Sequence, residues 1–415
     1  MMNDSSIGIE GYSTTTPGIN GKIKYDPDSF TVNEIPLEIP EKKDGKYTVL
    51  KIRLTNWDTN KFLMHLADRL HISNKRITYA GTKDKIGITT QYFCLNLPEN
   101  TSIGNLNIKD AEILSSIRTD RMIKLGDLLG NEFIIGIKSD EDNNRKINDT
   151  VNQINENKGF PNFYGFQRFG SIRANTHKIG KLLLQNRYAD AVKLYIYDPE
   201  FDSEDYRKHY GETEDAELAL KEFPEYLSFE RALLGYIARE KTYNNAFSVF
   251  PRNLSMLFIH AYQSYLFNRI LSERMKLTGN MHTVMDGDNL YSLDPYFNPD
   301  KREMIHATKY NIDKLNSLSA AGKVRPVIPL IGYNTELSGG MEGEIETNIM
   351  GLESISKKDF DTVSGDKMSS SGDYRIISAL PVDFKFMGKN KVGFSLGKGI
   401  YATSLMREII KENLD

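Results

Sequence analysis

Between Lys46 and Leu54 the apolar positions Tyr47, Val49, Leu50, Ile52 and Leu54 predict a strand. The period then changes. Phe62, Leu63, Leu66, Ala67 and Leu70 recur at helical spacing, after Asp58 or Thr59 as cap, and predict a helix with one apolar face. Arg76–Tyr79 and Ile88–Leu97 are rich in β-branched and aromatic residues and predict two strands joined by a polar connection. Short strands are expected around Ile23, Tyr25 and Phe30–Val32, and longer ones over Ala111–Ile117 and Asn131–Lys138. Asp140–Lys158 reads as a polar helix. Arg252–Arg274 reads as a long helix with an apolar stripe through Leu257, Phe258, Ala261, Tyr262, Tyr265, Leu266 and Ile270. Residues 301–323 read as helix. Arg325–Tyr333 is apolar but interrupted by Pro326 and Pro329, and reads as a buried connection. Two strands, Tyr374–Ala379 and Val392–Leu396, precede a terminal helix from Ala402 to Lys411. No internal repeat is visible.

Composition narrows the classes. A chain of 415 residues suggests two or three domains, at about 150 residues each. With 39% hydrophobic and 26% charged residues it reads as an ordinary globular protein. No apolar run is long enough to span a bilayer, and the polar, acid-bearing Met1–Glu10 does not read as a signal peptide. The single cysteine, Cys94, excludes an intrachain disulfide framework and a cysteine-rich zinc site. The seven histidines are scattered without an i, i+4 pair. The expectation is a cytoplasmic protein with no metal and no cofactor. A net charge of −3 argues against a wholly basic nucleic-acid coat and leaves room for a local basic face.

Two stretches carry candidate chemistry. In the connection between the predicted strands, Gly81 and Gly87 bracket Thr82-Lys83-Asp84-Lys85-Ile86. A carboxylate at Asp84, flanked by lysines, stays ionised and can serve as nucleophile or base. The alternative is a solvated charged hairpin. In the second stretch, Gly159–Gly170, five aromatic residues are interleaved with glycines, Asn162, Gln167 and Arg168. From Lys158 to Ala189 there are six Lys/Arg and no acid. Flat rings beside a single-sign basic segment suit unstacked nucleotides; the alternative is an aromatic turn followed by a basic helix surface. Asp198–Glu225 is acidic and reads as a solvated surface. Gly397-Lys398-Gly399-Ile400-Tyr401-Ala402 matches the dinucleotide fingerprint, which would make the protein an NAD-type oxidoreductase. The fingerprint needs a second strand with an acidic residue, and none follows in this sequence, so these glycines read as a strand-to-helix turn.

Four separated stretches together resemble the TruD family of tRNA pseudouridine synthases: Gly21–Glu34, Ala80–Gln91, Pro161–Gly170 and Phe394–Glu408. Gly126–Phe133 and Ala261–Asn268 add to the match, and all occur in the family's order. The resemblance implies an α+β fold with a mixed, mostly antiparallel sheet and flanking helices, and an inserted α/β domain. The catalytic domain would be discontinuous, residues 1–172 and 375–415, with the insertion at 173–374. It implies a tRNA substrate, uridine 13 as target, and Asp84 as the essential aspartate, attacking C1′ or abstracting a sugar proton. Lys24 falls at a basic position near it, Asn162 at one that holds the loop or base, and Tyr164 at a base-stacking position. In many relatives a Phe stands there with the Tyr one place earlier, where this chain has Phe163. Tyr401 falls at a second aromatic of the pocket, or packs under the terminal helix, and Arg407 reads as a helix-surface or capping residue. The competing class is an RNA-binding protein or chaperone without turnover.

Overall fold

A computed structural model describes residues 3–83, 86–98, 103, 106–361 and 368–411. Contacts divide the chain into a sheet unit (Tyr12–Phe160, Ser292–Asp300, Ser378–Asp415) and a helical unit (Met1–Gly11, Pro161–Tyr291, Lys301–Ile377). Against the limits expected from sequence, residues 1–11, 161–172 and 375–377 group with the helical unit, and Ser292–Asp300 with the sheet unit.

The sheet unit contains β1 (Phe30–Pro36), β2 (Tyr47–Thr55), β3 (Ile77–Tyr79), β4 (Ile88–Leu95), β5 (Ala111–Thr119) and β6 (Leu128–Gly136). A C-terminal hairpin, Val382–Gly388 and Lys391–Gly397, completes it. The hairpin's first strand forms one edge; its second pairs β6, and β1, β4, β2 and β5 follow. All pairings are antiparallel except β1 with β4. The α+β class with a mostly antiparallel sheet, expected above, is the one observed.

On one side β4 keeps β2 along its whole length. On the other side it changes partner. Ile88, Thr89 and Thr90 pair with β1, whereas Phe93, Cys94 and Leu95 pair with β3. The sheet therefore splits beside Gln91 and Tyr92, and the β3–β4 connection joins the two sides of the split. Gly87 closes that connection with φ +123°, and a Cβ there would lie 2.4 Å from the Phe30 carbonyl oxygen. Gly87→Ala meets both the clash and the left-handed strain, and should lower stability by about 1–3 kcal/mol. A urea midpoint equal to the parent's would contradict this.

The helix α1 (Thr59–Arg69) covers one face of the sheet. Its predicted stripe, Phe62, Leu63, Leu66 and Ala67, packs with Leu50, Ile52 and Leu54 of β2 and Phe93 of β4. Val49, one residue out of phase, points to the other face and packs with Cys94 and Leu128.

Three readings of local structure are corrected. Residues 301–323 are not one helix: the strand Pro299–His306 precedes the helix Ile312–Ala320. The proline-interrupted run is not a connection but a buried strand, Val324–Leu330, between the strands Asp373–Ile376 and Asn289–Leu293. Proline lacks a donor but keeps its carbonyl, and Pro326 O accepts Ile377 N–H at 3.1 Å. The strand Val382–Gly388 was not anticipated, although Val382, Phe384 and Phe386 alternate with polar residues.

Candidate active site

The β3–β4 connection is pinned at both ends by residues distant in sequence. Asp58 caps α1 by accepting Lys61 N–H at 3.0 Å, and this fixes Thr59 as the first helical residue. Thr59 is buried, and its Oγ1 accepts Lys83 N–H at 2.8 Å. Gln91, buried in β4, donates through Nε2 to Gly81 O at 2.9 Å and to Thr59 Oγ1 at 3.2 Å. At the far end, Gly87 N–H donates to Asn56 Oδ1 at 3.1 Å, and Asn56 N–H to Gly87 O at 2.9 Å. Asp84 and Lys85 themselves lie outside the described residues.

Lys83 is not a free cation beside Asp84. Its Nζ meets Glu34 Oε1 at 2.6 Å, with the two side chains 8% and 1% exposed. Glu34 Oε2 accepts Tyr92 N–H at 3.0 Å. Glu34 stands where β1 leaves β4, so its carboxylate takes up a backbone donor that the split ladder leaves over. The resulting negative charge is what holds Lys83 in the interior. Lys24 lies at the other end of the connection. Its backbone is left-handed (φ 58°), and its Nζ sits 4.6 Å from the Phe30 ring centroid. Phe30 is the residue whose carbonyl Gly87 approaches. Tyr401, 37% exposed, stands before the terminal helix Ala402–Ile410. Among the described residues no group of three or more His, Cys, Asp or Glu is arranged to hold a metal ion, and no helix is long and apolar enough to cross a membrane.

A family model described as tRNA pseudouridine synthase D (TruD) matches residues 6–409. The chain belongs to this family, whose members are isomerases. It is 50% identical to the probable tRNA pseudouridine synthase D of Picrophilus torridus, over 98% of this chain and 97% of the relative. Identity to the Thermoplasma volcanium protein of the same description is 46%, over 95% of each. The crystal structure of a putative TruD from Methanosarcina mazei superposes with a TM-score of 0.83 at 33% identity, covering 99% of this chain and 98% of that one.

The remaining TruD-motif residues fall in the helical unit. Asn162 is buried and fully engaged: its N–H donates to Ile377 O and its Nδ2 to Ile376 O, while its backbone oxygen and Oδ1 accept from Arg375 at 3.0 and 2.5 Å. Arg375 in turn lies 4.1 Å from the Tyr164 ring centroid. Tyr164 is 6% exposed, lies edge-on to Phe267, and is held at both backbone groups by Asn268. A guanidinium therefore lies against the Tyr164 ring.

In the basic stretch four of the six cations meet an acid. Arg173 pairs with Asp202, Lys178 with Glu200, Lys181 with Glu353 and Arg187 with Asp190. Two of those acids, Glu200 and Asp202, come from the segment read as a solvated surface; Asp198 is buried and accepts Asn175 Nδ2 at 2.8 Å. Charges that look unopposed along the chain are opposed in space. Arg407 is likewise no surface residue: it is buried 4.1 Å from the Tyr12 ring centroid.

Proposed function

We propose that the protein isomerises a specific uridine of tRNA to pseudouridine, with position 13 the expected target and Asp84 the acting carboxylate. The reading is carried by the doubly pinned connection around Asp84, in a chain that the TruD model matches over residues 6–409. The reaction breaks the N1–C1′ bond of uridine and rejoins the base through C5. It has no net redox change and consumes no second substrate, so the chemistry requires positioning, a carboxylate and exclusion of water rather than a cofactor. Asp84 either attacks C1′ or removes a sugar proton. The uridine leaves its stack to reach it. Lys24 supplies positive charge near the carboxylate, and Tyr401 a ring for the pocket. The resemblance gives Asn162 and Tyr164 a part in holding the base; within the helical unit Arg375 binds Asn162 and lies against the Tyr164 ring. In this reading the sheet unit is catalytic, the helical unit is the insertion, and a tRNA substrate implies the cytoplasm.

The test is incubation with unmodified tRNA transcript followed by carbodiimide primer extension. A single stop on the D-arm side is expected. Tight binding with no stop on any transcript would replace this reading with an RNA-binding protein lacking turnover.

The clamp makes a separate prediction. Thr59→Val keeps the shape but removes the acceptor for Lys83 N–H and Gln91 Nε2. It should cost about 1–3 kcal/mol of stability. It should lower kcat by about 100-fold, since a displacement of about 1 Å has that effect. KM should hold, and Thr59→Ser should restore both. A Val variant with parental kcat would remove the clamp from catalysis.

A further inference from the structure

An RNA substrate brings a phosphate beside every nucleotide, and a site that takes one uridine needs a cation to seat the adjoining backbone. The lysine nearest to Asp84 on its N-terminal side does not serve, because Glu34 holds Lys83 in the interior. Nor do four of the cations in the 158–189 stretch, which already have carboxylate partners. The exposed Lys398 differs from them. Its Nζ lies 3.1 Å from Gly126 O, and among the described residues no carboxylate pairs with it. Gly126 N–H donates to Ala80 O at 2.7 Å, so this ammonium is anchored one residue from the start of the pinned connection. Lys24 stands at the opposite, Gly87 end.

The turn that carries Lys398 is built rather rigidly. Gly397 lies so close to the segment 292–300 that a Cβ would come within 2.2 Å of Tyr296 O. Asn298 Oδ1 accepts Lys398 N–H at 2.9 Å, while Asn298 Nδ2 donates to Leu129 O at 2.7 Å. Gly399 is left-handed, with φ +75°. The fingerprint-like glycines thus let a backbone approach and turn, and the side chain between them is presented to solvent with its charge uncancelled.

We propose that Lys398 binds a backbone phosphate of the RNA next to the uridine acted on at Asp84. The inference rests on the function proposed above. Lys398 is a binding residue in it, and the uridine chemistry does not pass through its ammonium.

The experiment compares the parent with Lys398→Gln and Lys398→Arg. Affinity for unmodified tRNA transcript is measured by fluorescence anisotropy from low to high salt, and kcat and KM by pseudouridine yield. Losing one phosphate contact should weaken binding about fivefold at physiological salt and reduce the salt slope by about 0.7–0.9. KM should rise with it while kcat holds, and Lys398→Arg should restore the slope. Parental affinity and slope in Lys398→Gln would overturn the proposal, as would weaker binding with an unchanged slope, which indicates a structural role. A parent that binds tRNA without modifying it would refute the function proposed above, while the slopes would still judge Lys398 as a phosphate contact.

Discussion

Asp84→Asn is expected to abolish pseudouridine formation while leaving tRNA binding and melting temperature close to the parent's. The substitution keeps size and shape and removes only the charge and its basicity. The bonds that pin Gly81, Lys83 and Gly87 run to Gln91, Thr59 and Asn56, so the connection keeps its frame. An amide neither attacks C1′ nor takes a proton from the ribose, so the loss should be about 10⁴-fold or more, about 5–6 kcal/mol of barrier. Asp84→Glu offers a graded control. It keeps the carboxylate but moves it by a methylene, which should cost about 100-fold. Single-turnover yield on a tRNA transcript measures all three proteins. Parental yield from the Asn variant would remove Asp84 from its role. Loss of tRNA affinity in proportion to yield would make it a binding residue instead.

The second large effect lies in the helical unit, away from any proposed chemistry. Arg274, on the long helix Arg252–Thr278, is buried with two carboxylates. It donates to both oxygens of Asp288 at 2.7 Å and to Glu342 Oε2 at 2.6 Å. Glu346, buried nearby, takes Ser338 N–H at 2.8 Å. One cation does not neutralise three acids. Burial pushes Glu342 up to about 7, against the pull of Arg274. Burial and the charge of Glu342 push Glu346 up to about 8. Arg274→Met leaves Asp288 and Glu342 buried without their cation and should cost about 3–5 kcal/mol.

The same cluster sets a pH dependence. Both glutamates have folded values above the 4.5 of the free side chain. The folded protein therefore holds protons that the unfolded chain releases. Their contribution to stability is complete below pH 4.5 and is lost as pH rises through 7 and 8. Melting temperature should fall by several degrees between pH 5 and pH 9, and Glu346→Gln, which cannot ionise, should flatten that fall. The Arg274→Met deficit should be larger at pH 8 than at pH 5, because protonation relieves the abandoned acids. Thermal melts followed by circular dichroism decide the matter; a variant melting with the parent at both pH values would contradict the whole account.

Much of the sheet unit was legible because its signals are local. The alternation in Lys46–Leu54 and the 3.6 period after Asp58 each report one face of one element, and both elements appear within a residue or two of their expected ends. The connection bracketed by Gly81 and Gly87 was legible for the same reason. Strands containing proline were not. Pro326 and Pro329 break the local rule, and only the pairing of Val324–Leu330 on both sides makes a strand of it. Lys83 shows the limit most plainly. In sequence it flanks Asp84; in the fold a carboxylate 49 residues away claims it.

The sequence by itself determined the family and the order of most elements of the sheet unit. Those depend on residue identity at short spacing, which a linear chain displays. Tertiary structure alone decided which charges remain available. Lys83, Arg173, Lys178 and Lys181 are each matched by an acid at least twenty-two residues distant, whereas Lys398 has none among the described residues. It also decided that the Tyr164 ring lies under Arg375. Electrostatic pairing depends on distance in space, and it is chain folding that brings remote segments within reach of one another.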